Sequence, residues 1–327
     1  MFLLIVGAVV AVGRYYAWCK GAGAVRQPVR FTVADGASGD SVVAALHDRG
    51  VIRCGGLVGN LLLHGSGKAS SIRAGSYSLT TNMTFDTAVR VLTTPPVPVP
   101  TVEMTIPEGY RLTQIAERVQ QDLGIPAKQF LGVAKSGTYA LAPWLPPGTP
   151  TTEGFLFPKT YRFVKKTVTA DEVVRTLLNQ FKIDAGSLPW SNAKRMGVSP
   201  YQVVTIASMI EREAKVPGDR AKIAAVIYNR LKDGMPLGID ATIGYIDPDP
   251  SNGLTASDFK IDSPYNTRLH TGLPPTPIAS PGLPSLQAAL DPAHVPYLYY
   301  VLCGADGHHR FSDTSAQFEH DVATCLG

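Results

Sequence analysis

Glu211 and Glu213 stand two residues apart, around Arg212, at the end of a run that is otherwise apolar, ASMIEREAKVPGDR. A carboxyl at an apolar edge loses hydration, and its pKa rises. An acid still protonated near neutrality can protonate a leaving oxygen, a glycosidic one for instance. The plainer alternative is a pair of boundary glutamates bonded to Arg212, Lys215 or Arg220. On a helical wheel Val203, Ala207, Ile210 and Ala214 share one face, with Ile206 and Met209 on one flank and Val204 on the other. Arg212 points toward solvent, and the two glutamates fall on opposite edges of the apolar face. The wheel does not choose between them.

Other chemistries find less support. Ser208 lacks the G-x-S-x-G setting of a nucleophile. His308 and His309 have no metal-ligand spacing with a nearby Glu or Cys and read as a solvated or structural pair. No Gly-rich phosphate loop follows a strand, and no residue cluster suggests a metal or organic cofactor. Asp240, in IDATIGYI, falls in a loop after a second helix and is either a helper carboxylate or a turn former. SPYNTRLHTGLPPTPIASPG, with Tyr265, Asn266 and Thr271 among Pro and Gly, suits either a sugar cleft or a structural wrap.

The elements that must position these residues are readable. Ser199 with Gln202 forms a capping box, and Pro200 takes the first helical position, so a helix begins there. A second helix covers about Asp219 to Lys232 and stops at Gly234. Upstream, Val29, Phe31 and Val33 alternate as a strand, and the segment to about residue 94 reads as a compact β-α-α-β-α unit of about 70 residues. PPVPVP at 95–100 is a stiff boundary. Then come a strand and an amphipathic helix, an aromatic loop with a strand, and a helix that Asp171 can cap. PYLYYVLC reads as a buried strand. Helices and short strands mix without regular βαβ alternation, so the class is α+β.

The chain has 327 residues and a net charge of +4, too weakly basic for a nucleic-acid stripe, so no nucleic-acid partner is expected. Residues 1–20 hold an apolar stretch from Phe2 to Val12, then Tyr15, Tyr16 and Trp18, and are expected to be an uncleaved transmembrane anchor. Arg14, Lys20 and Arg26 follow the apolar stretch and no Lys or Arg precedes it, which by charge alone would leave the bulk of the chain in the cytoplasm. Of Cys19, Cys54, Cys303 and Cys325, the last two could pair outside the cytoplasm, and free thiols are an equal alternative.

ASMIEREAKVPGDRAKIAAVIYNRL resembles the A-S-[IM]-[IV]-E-[KR]-E core of the MltG, or YceG-like, family. AGSYSLTTNMTFDTAVRVL, IPEGYRLTQIAERV, EGFLFPKTYRF, SPYNTRLHTGLPPTPIASPG, PYLYYV and HHRFSDTSAQFEHD are similar to further family blocks, in family order. The resemblance implies a LysM-like domain over 29–94 and a catalytic domain over 101–327. It implies a membrane-anchored endolytic murein transglycosylase of the bacterial cytoplasmic membrane, with its catalytic domain on the extracytoplasmic side. It implies cleavage of peptidoglycan glycan strands, with peptidoglycan synthases (penicillin-binding proteins) as partners. The family's essential glutamate maps to Glu213. Glu211, Asn229, Arg230, Asp240, Thr242, Tyr265, Asn266 and Thr267 lie in matching blocks and are expected to line and orient the cleft. Lys159, Ala241 and Thr276 depart from the family pattern, and none of these changes is expected to touch Glu213.

Overall fold

The computed structural model describes residues 2–23, 27–95, 100–165, 167–247 and 253–326. The chain divides into two compact units, Met1–Val99 and Pro100–Gly327. Most of the Pro-rich boundary, residues 96–99, lies outside the described residues.

In the first unit the element order is α1 (Phe2–Lys20), β1 (Pro28–Val33), α2 (Gly39–Asp48), α3 (Gly56–Gly65), β2 (Gly75–Thr80) and α4 (Phe85–Thr93). After α1, this is the β-α-α-β-α order read from the sequence. β1 and β2 pair antiparallel, with Phe31 opposite Tyr77. Phe31, Tyr77, Leu46, Leu63 and Leu92 form the core between this ribbon and the helices. Ser38 and Thr84 cap α2 and α4 by accepting from the backbone N–H three residues on.

The anchor expected over residues 1–20 falls on α1. No helix among the described residues is long and apolar enough to cross a membrane. α1 has 19 residues, about 28 Å at the helical rise, against a hydrocarbon core of about 30 Å. Its last turn is committed to the domain. Cys19 is 1% exposed in the core, joined to Cys54 by a disulfide, and Arg53 stacks on Trp18.

The second unit holds β3 (Thr101–Thr105), α5 (Leu112–Leu123), α6 (Ala127–Ala134), β4 (Thr160–Val164), α7 (Ala170–Ala185), α8 (Ser191–Arg195), α9 (Pro200–Glu213), α10 (Arg220–Lys232), α11 (Asp240–Ile246), α12 (Leu283–Leu290), β5 (Tyr299–Leu302), β6 (His309–Ser312) and α13 (Ser315–Leu326). Its strands form two antiparallel ribbons, β3–β4 and β5–β6. Thr169, not Asp171, caps α7, with Glu172 completing the box. Asp171 instead bonds Arg175 one turn on.

α9 is the axis of this unit. Ser199 caps it and Gln202 returns the bond, as the sequence predicts. All eight residues from Val203 to Ile210 are buried, so the helix is enclosed around its circumference in mid-length and runs through the core. It packs against α10, α11 and α12. Ser208 is interior, accepting from the Ile278 N–H at 3.0 Å and donating to Thr205 O, which ties α9 to the Pro-rich loop. Gly154, with φ 85°, packs so closely on Pro277 that a side chain there would collide with the ring.

Candidate active site

Glu213 is the last residue of α9. The apolar run that precedes it brings the helix end up from the core, and Ala214 leaves helical geometry immediately after. The Glu213 carboxyl is partly buried and has two donors. The Ala241 N–H, at the start of α11, approaches Oε1 at 3.4 Å, so one departure from the family pattern does touch Glu213, contrary to expectation. The Tyr300 hydroxyl, from β5, donates to Oε2 at 3.1 Å. Burial raises the pKa of Glu213. The Ala241 N–H and Tyr300 O–H pull it down, nearby Asp240 pushes it up, and His309 lowers it. The Tyr300 hydroxyl is held well above the usual tyrosine range by burial and by the glutamate it faces, which keeps it a donor.

Glu213 opens on a cavity of about 390 Å³ whose wall includes Arg111, Arg212, Asp240, Leu302 and His309. Burial, and then the adjacent Arg212 charge, lower the pKa of Arg111. Arg212 is exposed, as expected, and also borders the cavity, with its guanidinium donating to Gly109 O at 3.4 Å. A larger hollow of about 660 Å³ sits at the other end of α9, around Tyr201, Leu231 and Pro274, and no carboxyl lines it. Among the described residues, no group of three or more His, Cys, Asp or Glu could hold a metal ion.

The other expected site residues divide sharply. Asp240 borders the cavity, but as the first residue of α11 and not in a loop, and Arg268 grips its carboxylate. Glu211 turns inward, accepting from the Gly282 N–H at 3.0 Å, with Arg220 at 3.8 Å. The remaining side chains are engaged within the protein. Asn229 donates to Val295 O and Tyr297 O. Arg230 donates to Leu298 O and Leu237 O and stacks on Tyr299. Thr242 and Thr267 bond each other and the Ile239 backbone. Tyr265 pairs with Thr276, the residue that departs from the family pattern. Asn266, fully buried, donates to Phe259 O and Ile261 O. These groups shape the loops around the cavity, and none of them borders it.

The β5–β6 hairpin supplies what the sequence reading left out. Its register sets Tyr300 opposite Phe311 and Leu302 opposite His309. These four side chains therefore share one face, the face that meets Glu213 and the cavity. Behind it, Ser312 donates to Asp321 of α13, and the Cys303–Cys325 disulfide ties α13 to the hairpin. His309 is not a solvated residue. Its side chain is 5% exposed and lies against Asp219, itself 2% exposed. Asp219 Oδ2 accepts from the His309 N–H at 2.8 Å and from Nδ1 at 3.1 Å. Burial alone would raise the Asp219 pKa, but the His309 backbone and ring, with Lys222, hold it below the usual carboxylate range.

The sequence matches the model of the YceG-like family over residues 31–324. It is 35% identical over 269 residues to an endolytic murein transglycosylase of Bacillus subtilis, covering 78% of this chain and 73% of that protein. It is 30% identical over 281 residues to one of Streptococcus pneumoniae, of which it spans 51%. The crystal structure of a yceG-like protein from Listeria monocytogenes superposes with a TM-score of 0.60 at 27% identity, over 90% of this chain and 99% of that one. With the match running through both units and through the helix that ends in Glu213, the chain belongs to the YceG-like family.

Proposed function

We propose that this protein is an endolytic murein transglycosylase and that Glu213 is its acid and then its base. One observation carries the assignment of the residue: among the carboxyls bordering the cavity, Glu213 alone combines a pKa raised by burial with two donors suited to its anion. The names of the Bacillus and Streptococcus relatives support the reaction class.

The raised pKa favours a protonated Glu213 that can donate to the bridging oxygen between N-acetylmuramic acid and N-acetylglucosamine. As the C1–O4 bond breaks, the proton passes to the departing oxygen and Glu213 becomes a carboxylate. The Tyr300 O–H and Ala241 N–H stabilise that charge. The carboxylate then takes the proton of the muramic 6-hydroxyl while O6 bonds to C1. A 1,6-anhydro end remains, and Glu213 is protonated again. Because no water enters, the carboxylate pair of hydrolases is not required.

The two disulfides support an oxidising, extracytoplasmic compartment. In this reading the enzyme works at the outer face of the bacterial cytoplasmic membrane, beside the synthases that make new strands. The β-α-α-β-α unit is read as LysM-like, serving to bind glycan or to space the catalytic unit. The test is mass spectrometry of products from purified, uncrosslinked strands. Wild type yields anhydro-ended fragments, and Glu213→Gln loses about 10²- to 10⁴-fold in rate. Reducing ends would instead indicate a hydrolase drawing on Asp240, which borders the same cavity.

A further inference from the structure

We infer that His309 contacts the substrate: Asp219 grips the imidazole through Nδ1 and leaves Nε2 to hydrogen-bond a hydroxyl of the sugar lying against the Glu213 carboxyl. The inference rests on the transglycosylase reading and adds a second substrate-contacting side chain to it.

Four observations converge. The hairpin register aims His309 and Leu302 from the same face as Tyr300, whose hydroxyl holds Glu213. The Tyr300 and His309 rings meet edge to face, centroids 5.3 Å apart, so one tyrosine orients both groups. His309 borders the cavity that Glu213 borders. Finally, Asp219 is buried and spends one oxygen on both the backbone N–H and Nδ1 of His309. A carboxylate on one imidazole nitrogen fixes the ring's orientation and tautomer and leaves the other nitrogen for chemistry. Nε2 has no hydrogen-bond partner among the described residues, although the ring is almost wholly enclosed. A nitrogen presented in this way matches a ligand crowded with hydroxyls.

A purely structural role predicts something else. Asp219 would then serve to pin the hairpin, and the Nε2 end of the ring would be dispensable. His309→Asn separates the two, because its amide sits near the position of Nδ1 and can still meet Asp219 but cannot reach where Nε2 lies. His309→Gln does the reverse. Using the full chain, we would compare thermal unfolding and kcat/KM on uncrosslinked strands. If the inference holds, His309→Asn melts within about 2 °C of wild type but loses at least about 10-fold in kcat/KM, and His309→Gln regains part of the loss. If His309→Asn cleaves at the wild-type rate, or His309→Gln is fully stable and no better than His309→Asn, the inference is overturned. Should the asparagine variant not fold, His309→Ala with added imidazole takes its place: recovered cleavage supports the contact, and no recovery overturns it. A wild type that cleaves while His309→Asn also cleaves normally sinks only this inference. A wild type that leaves strands intact overturns the transglycosylase reading and this inference with it.

Discussion

Glu153 offers the sharpest physical test outside the catalytic residues. It is 3% exposed, and both its oxygens face the Leu112 N–H, at 2.9 and 3.1 Å, where α5 begins. Tyr245 of α11 donates to it at 3.1 Å. One carboxyl therefore caps a helix and holds the short helix whose first turn supplies the Ala241 N–H to Glu213. Burial pushes its pKa from the usual 4.5 up to about 7, against the pull of the Leu112 N–H, Tyr245, Lys135 and Arg111. Between those two values the folded chain holds a proton that the unfolded chain has released. Stability is then full below the unfolded pKa and falls as pH rises through the folded one. At about 1.4 kcal/mol per unit, the loss across the window is about 3 kcal/mol.

Glu153→Gln removes the titration and keeps an acceptor for the Leu112 N–H. Urea denaturation of both proteins from about pH 4 to about pH 8 measures the effect, and groups common to both cancel in the difference. The stability of wild type relative to Glu153→Gln should fall by about 3 kcal/mol on going up in pH, with the change centred between 4.5 and 7. Two curves that stay parallel to within about 0.5 kcal/mol would show that Glu153 ionises as easily in the fold as outside it. The account of burial given for this carboxyl, and by extension for Glu213, would then be wrong.

Tyr300→Phe removes a donor to the Glu213 carboxylate, so the Glu213 pKa rises further. The alkaline limb of the kcat/KM profile moves to higher pH, and an unmoved limb in the pH–rate profile contradicts the assignment. Replacing Cys303 and Cys325 with Ser opens a loop of sequence separation 22. It should cost about 3 kcal/mol in denaturant unfolding, provided that wild type is measured oxidised. Asn266→Ala leaves Phe259 O and Ile261 O without their amide donor. It should cost about 2 kcal/mol by the same method and lower cleavage through the loop that carries Arg268 to Asp240.

Local signals in the sequence were strong where chemistry is local. Ser199, Pro200 and Gln202 announce the start of α9 because a cap bonds only its own first turn. Val29, Phe31 and Val33 announce β1 because alternation is a property of one strand. α11 was hidden, since it has seven residues and no side-chain cap. The Cys19–Cys54 pairing was hidden by its separation of 35 residues. Tyr300 reaches Glu213 across 87 positions, and only the pairing of two four-residue strands brings His309 beside it. Asn229, Arg230 and Thr267 have side chains equally fit to bind a sugar or a stray backbone carbonyl, and residue type does not distinguish the two uses. In the fold they bind the chain itself.

The pairing of Glu211 with Glu213 poses the sequence's central question, and position along one helix answers it. Glu211 lies within the last turn, and its two oxygens have the Gly282 N–H and Arg220 as partners. Its carboxylate is thereby turned inward, away from the cavity that Glu213 borders. Glu213 ends the helix, where the unpaired carbonyls of the last turn place partial negative charge, and this opposes ionisation along with burial. What favours its anion is modest: one N–H at 3.4 Å and one phenol at 3.1 Å. A stronger cradle, such as an arginine fork, would leave the group permanently ionised and unable to serve as the acid. No cradle at all would hold it protonated and unable to serve as the base. In the proposed reaction it is this balance of a raised pKa with two weak donors that lets a single carboxyl perform both halves.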